Sequence, residues 1–84
     1  MNSADQLFLR QEILRHGSGM GSSGHRADLL LVNLRAFGFP NLTMPELREQ
    51  LDYLVGEGLL LKKPSALDPA TVRLVLTDKG RELI

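Results

Sequence analysis

LRAFGFPNLTMPELREQLDYLVGEGLLLKK, residues 34–63, holds a helix stop, a capped helix start and a change of period. Thr43 is placed as an N-cap with Glu46 at the third helical position, so each can satisfy an otherwise unpaired amide of the other. Leu42 and Leu47 have the spacing of a hydrophobic staple across that cap. Pro45 falls in the first turn, where its missing N–H costs nothing. Leu47, Leu51, Leu54 and Val55 then recur at offsets of four, seven and eight, the period of a helix. Gly56 and Gly58 close it, which predicts a helix over 44–56. Beyond it Leu59-Leu60-Leu61-Lys62-Lys63 predicts a strand over 59–63, and residues 64–70 a loop. Residues 71–76, TVRLVL, are partly β-branched and predict a second strand that pairs back on the first.

Upstream, Gly38 and Pro40 end a helix predicted over 25–37, HRADLLLVNLRAF. Leu30, Leu34 and Phe37 share a stripe, and Leu29, Leu31 and Val32 widen it. Apolar over so much of its circumference, this helix is expected to be central. A first helix is predicted over 4–16, with Ser3 as N-cap, Gln6 three residues on, and Leu7, Leu9, Ile13 and Leu14 on its apolar side. Gly17 is expected to stop it, and GSGMGSSG, residues 17–24, reads as a flexible connection. Thr77 can cap a last short helix over 78–83, with Asp78 at its positive end.

The order is helix, helix, helix, strand, strand, helix, with no repeat or linker to divide residues 1–84, so one mainly α, α+β domain is expected. At 84 residues the core must be thin. The 43% hydrophobic and 24% charged content excludes a disordered or collagen-like chain. The absence of cysteine excludes disulfides and thiolate metal sites. Ten basic residues balance ten acidic ones, so the molecule exerts no long-range pull on nucleic acid. No apolar run approaches the ~20 residues that span a bilayer. MNSADQLFLRQE is too polar and acidic for a secretory signal, and a cytoplasmic location is expected.

Two helices, the second entered by a sharp capped turn and followed by a β-hairpin, resemble a winged helix-turn-helix. Residues 34–63, with the ending L-x-x-L-x-x-x-G-L, look like the helix-turn-helix and first wing strand of such domains. VRLVLTDKGRELI, residues 72–84, looks like the second wing strand and the L-T-x-x-G-x-x-L helix start of MarR- and PadR-like regulators. From FLRQEILR to LTDKGREL the chain resembles a family of small winged-helix proteins of Mu-like transposable phages and prophages. The resemblance implies double-stranded DNA binding and transcription regulation. It also implies a homodimer contact from the first and last helices, for which Leu7, Phe8, Leu83 and Ile84 are the candidates; the alternative is that these residues finish the core of a single copy.

In a DNA-binding winged helix the third helix enters the major groove, which makes Arg48, Gln50 and Tyr53 the candidates for base contacts. Yet residues 44–56 carry three acids, Glu46, Glu49 and Asp52, against one base, and acids repel phosphates. Arg48 stands four residues from Asp52, the spacing of a helix ion pair. A second function class therefore stays open. In it Glu46, Glu49, Asp52 and Tyr53 form a surface for a host or phage protein. The hairpin is basic instead: Lys62, Lys63 and Arg73 outweigh Asp68, and suit phosphate contact or protection of a strand edge. Phe8 and Phe37 are expected in the core, with Phe39 and Tyr53 free to be exposed.

GMGSSG, residues 19–24, matches G-x-G-x-x-G, but a helix precedes it where a dinucleotide site needs a strand, so no cofactor is expected. His16 and His25 with Asp28 make a poor metal set. Ser18, Ser22 and Ser23 near His25 lack the pattern of a nucleophile with its base, and no enzyme activity is expected.

Overall fold

A computed structural model of the chain describes residues 2–18, 25–64, 67 and 72–83. Among them the order is α1 (Ser3–Ser18), β1 (His25–Arg26), α2 (Ala27–Phe37), α3 (Met44–Gly56), β2 (Leu60–Pro64), β3 (Val72–Leu76) and α4 (Asp78–Arg81). The fold is α+β and mainly helical, with three helices followed by an antiparallel hairpin and a short helix. The glycine-rich stretch at 19–24 and most of the expected hairpin loop lie outside the described residues.

α3 begins as its sequence requires. Glu46 Oε1 accepts from the Thr43 amide at 3.1 Å and from its hydroxyl at 2.9 Å, and the Glu46 amide donates back to Thr43 Oγ1 at 3.4 Å. At the far end Gly58 takes φ 75°, a left-handed conformation that glycine adopts without steric cost. The Gly58 amide donates to the Val55 carbonyl and the Leu59 amide to the Leu54 carbonyl, both at 3.0 Å. This pair of bonds closes the helix as a Schellman motif, with buried Leu54 and Leu59 as its apolar partners. The chain then passes directly into β2.

β2 and β1 flank β3, both antiparallel to it, in the order β1-β3-β2. Leu60 opposes Leu76, and all of Leu60, Leu74 and Leu76 are buried, so this face of the sheet meets the helices. The buried apolar side chains of the described residues are all leucine apart from Ile13. Leu9 and Ile13 of α1, Leu34 of α2 and Leu47 of α3 meet at full burial.

α4 is tied back to the turn after α3. The Thr77 hydroxyl donates to the Gly58 carbonyl at 2.7 Å and accepts from the Gly80 amide at 3.0 Å. The Thr77 amide donates to the Leu59 carbonyl at 3.1 Å.

Several expectations need correction. His25 and Arg26 do not start a helix; they form β1, because pairing there gives β3 a hydrogen-bonded neighbour on both sides. The Asp28 carboxylate then accepts from the Leu29 amide at 3.0 Å and serves the open start of α2. Asn2, not Ser3, caps α1, accepting from the Asp5 amide at 2.8 Å, and α1 runs through buried Gly17. Gly17 therefore does not stop it; a residue without a side chain fits a buried helical position at little steric cost. β2 begins one residue later than expected and runs to Pro64, β3 matches the expected strand from Val72 to Leu76 with Thr71 outside the described residues, and α4 ends at Arg81.

α2 is not central. Leu30, Leu31 and Leu34 are buried, whereas Leu29, Val32 (60% exposed) and Phe37 (53%) face outward. Only the side turned to α1 and α3 is covered, and a wide apolar arc does not compel a second layer in so small a domain. Phe8 and Phe37 accordingly lie outside the leucine core. Phe8 stacks on Phe37 with centroids 6.4 Å apart and tilts against half-buried Phe39 at 5.3 Å.

Candidate nucleic-acid interface

Side chains on a helix turn by about 100° per residue, which sorts α3 into faces. Leu47, Gln50, Leu51 and Leu54 are buried. The exposed arc is centred on Pro45, Glu49, Asp52 and Gly56, with Arg48 and Tyr53 at its two margins.

Gln50, expected to face outward, is only 4% exposed. Its Oε1 accepts from Arg10 Nε of α1 at 2.7 Å, so it joins two helices and is lost as a base-reading residue. The same Arg10 guanidinium lies 3.8 Å from the centre of the Tyr53 ring, which covers that side chain from above. Both contacts lie on the α1 side of α3, and they place Tyr53 away from the hairpin.

Arg48 stands on the opposite margin. It shares a groove of about 340 Å³ with Ala27, Leu51, Asp52, Lys62, Val72 and Leu74. The ion pair expected between Arg48 and Asp52 does not form; Asp52 Oδ1 meets Lys62 Nζ of β2 at 3.2 Å instead. The strand offers its cation across the groove, and among the described residues Arg48 makes no ion pair.

The three acids of α3 are thus in different situations. Glu46 is bound into the helix cap, and the Thr43 hydroxyl, then the Thr43 amide, hold its carboxyl below its ordinary pKa. Asp52 is paired with Lys62. Glu49 alone is exposed and without an ion pair among the described residues.

Lys62 and Lys63 are adjacent in a strand and so point to opposite faces. Lys62 shares the Leu60 and Leu74 face, towards α3. Lys63 stands directly opposite Arg73 on the outer face, and Arg73 stands directly opposite Arg26 of β1. Directly opposed residues share a face, so Arg26, Arg73 and Lys63 form one basic row across three strands. At the usual strand spacing this row is about 10 Å wide. Like charges directly opposed destabilise a sheet. Only one of the three is compensated among the described residues: Arg26 forks onto Asp28, with Nε 3.1 Å from Oδ1 and Nη2 on Oδ2. Loss of hydration raises the Asp28 pKa, but the Arg26 hydrogen bonds, the Leu29 amide and the Arg26 charge outweigh it and hold the carboxyl below its ordinary value.

The sequence places Arg26 beside a possible anion at the start of the second helix, but its place in the sheet row was hidden, since a strand of two residues has no period to detect. Arg10 and Glu12 were also missed. Glu12 is buried within α1, where Arg15 Nη1 reaches it at 3.1 Å. His16 donates from Nδ1 to the Glu12 carbonyl at 2.7 Å and meets the Phe37 ring edge-on.

The candidate dimer residues do not form one patch. Leu7 (57% exposed) and Leu83 (63%) line one groove with Leu14, Leu54 and Leu59, where α1, α3 and the residues that follow α4 meet. Phe8 belongs to the aromatic cluster beside the turn between α2 and α3, and Ile84 lies outside the described residues.

Among the described residues no group of three or more His, Asp or Glu side chains could hold a metal ion, and no helix is long and apolar enough to cross a membrane. Comparison with protein-family models, with curated proteins and with solved structures found no match to this chain.

Proposed function

We propose that this chain is a winged helix-turn-helix protein that binds double-stranded DNA, a phage- or prophage-type transcriptional regulator acting in the cytoplasm and not an enzyme. In this proposal the β2–β3 hairpin is the wing and α3 the groove-facing helix. The observation that carries it is the Lys63–Arg73 pair, two opposed cations on an outer sheet face with no carboxylate on them among the described residues. Such a pair is relieved by an anion, and phosphate oxygens are the anions that a duplex offers. Arg48, without an ion pair among the described residues, adds a third cation at the α3 margin that faces the hairpin. The fate of the α3 acids supports the same reading, since Glu46 and Asp52 are already occupied. Three phosphate contacts per copy make binding weak and salt-dependent, each copy adding about −2.7 to the slope of log K against log salt. In the same proposal two copies pair across α1 and α4, through Leu7 and Leu83.

The second reading is a protein-interaction module that uses the acidic helix, and it draws its support from Glu49, outward and without an ion pair among the described residues. One measurement separates the two. Retention on duplex DNA is followed across a salt series for the parent, for Lys63→Ala/Arg73→Ala and for Glu49→Lys. DNA binding requires the double variant to lose about two units of slope per copy and Glu49→Lys to bind more tightly. If the parent is not retained even at low salt, DNA binding is wrong. Loss of a protein partner from Glu49→Lys in pull-down would then favour the second reading.

A further inference from the structure

We propose that Arg26 of β1 completes the phosphate-binding row, and that Asp28 is a resident anion which a DNA phosphate must displace. The inference rests on the DNA-binding reading above and names a residue and a control within its site. Arg26 is held opposite Arg73 by the antiparallel register, so its guanidinium shares the outer face with Arg73 and Lys63. The backbone thus sets three cations side by side, and among the described residues one nearby carboxylate neutralises only the first.

That carboxylate is a close imitation of a phosphodiester. It accepts two parallel N–H bonds from the Arg26 fork, the geometry guanidinium also uses with phosphate. The pair is exposed on both sides, 48% for Arg26 and 53% for Asp28, so exchange of one oxyanion for another needs no opening of the core. Asp28 has a second duty that survives the exchange. It accepts from the Leu29 amide at the start of α2 and keeps that bond when Arg26 turns away. Arg26 therefore has two alternative partners, an internal carboxylate in the free protein and a backbone phosphate in the complex. Asp28 lowers affinity for every duplex alike, because phosphate contacts carry no base information.

The test measures duplex binding across a salt series for the parent, Arg26→Ala, Asp28→Asn and the double variant, with folding checked by circular dichroism. Arg26→Gln replaces Arg26→Ala if alanine disturbs the short strand. Arg26→Ala should weaken binding roughly tenfold at about 50 mM salt and reduce the salt slope by about one per copy. Asp28→Asn should tighten binding, and that gain should vanish when Arg26 is absent. If Lys63 and Arg73 variants lose affinity but Arg26→Ala matches the parent, the row ends at β3; this inference falls and DNA binding stands. If Asp28→Asn tightens binding equally without Arg26, the carboxylate acts by general repulsion and the exchange is wrong. A parent that never binds duplex overturns both proposals. Inorganic phosphate at matched ionic strength should leave the Arg26 side-chain NMR signals in place; saturation at millimolar phosphate would make this a free-phosphate site and overturn the assignment to DNA.

Discussion

Thr43 and Glu46 are two side chains whose whole role follows from three residues of spacing. Thr43 stops its own backbone from being helical while its oxygen serves the new helix, and Glu46 returns the favour. The cap also makes stability depend on pH in a definite sense. The Glu46 carboxyl titrates below its ordinary value in the folded chain, so its contribution is fully present above the unfolded pKa and is lost as pH falls through the folded one. Glu46→Gln should therefore melt below the parent at neutral pH. The gap should close as pH drops below the carboxylate range, about 4.3 for an unfolded glutamate. A gap that persists unchanged at pH ~2 would mean that the charge on Glu46 plays no part. Thr43→Ala should lower Tm by about 4–8 °C, the effect of ~1 kcal/mol in a domain of this size. These residues were legible because capping is local chemistry. Gln50 was not, because whether a polar residue on a helix margin faces water or another helix depends on α1, forty residues away.

At the scale of elements, the third helix and the hairpin could be read directly, since each has its own period and its own punctuation. β1 could not, since its strand character exists only by pairing with β3. α4 lies between these cases. Its threonine and glycine are visible as a pattern, but their reason is tertiary. Thr77 bonds both to its own helix and to the turn that ends α3, and Gly80 sits where any side chain would collide. A Cβ at Gly80 would overlap the Leu59 carbonyl oxygen and come within 2.7 Å of Leu76 Cδ1. The carbonyl cannot move freely, because it accepts from the Thr77 amide. Gly80→Ala is thus expected to destabilise the fold by about 1–3 kcal/mol, the usual range for overpacking against fixed atoms. Chemical denaturation reads this as a lower midpoint. An unchanged midpoint would show that α4 moves away from the sheet without cost and does not anchor the turn.

Over the whole molecule the division of apolar side chains is uneven. Leucine fills the interior, while the aromatic rings gather at the surface of α1 and the turn after α2. A sequence shows how apolar a helix is but not which of its sides finds a neighbour, so Phe8, Phe37 and Val32 were misplaced and Leu30 and Leu34 were not. Two of the exposed apolar regions are candidates for a contact between copies, since exposed apolar surface in a small protein points to association. They differ in form. Phe8, Phe37 and Phe39 already stack on one another, which covers part of each ring within a single copy. Leu7 and Leu83 instead stand at the rim of an open groove floored by Leu14, Leu54 and Leu59, so a side chain from a second copy can enter it. Pairing across a two-fold axis uses the same surface twice and doubles the number of phosphate-binding rows in the particle. The proposed dimer therefore has a mass signature and a salt signature that must change together. Leu7→Glu/Leu83→Glu should sediment as a monomer at concentrations where the parent is a dimer, and its duplex-binding salt slope should fall by about half. Phe37→Glu should leave both unchanged. Should Phe37→Glu dissociate the particle while the leucine variant does not, the two copies meet through the aromatic cluster and the α1–α4 contact is wrong.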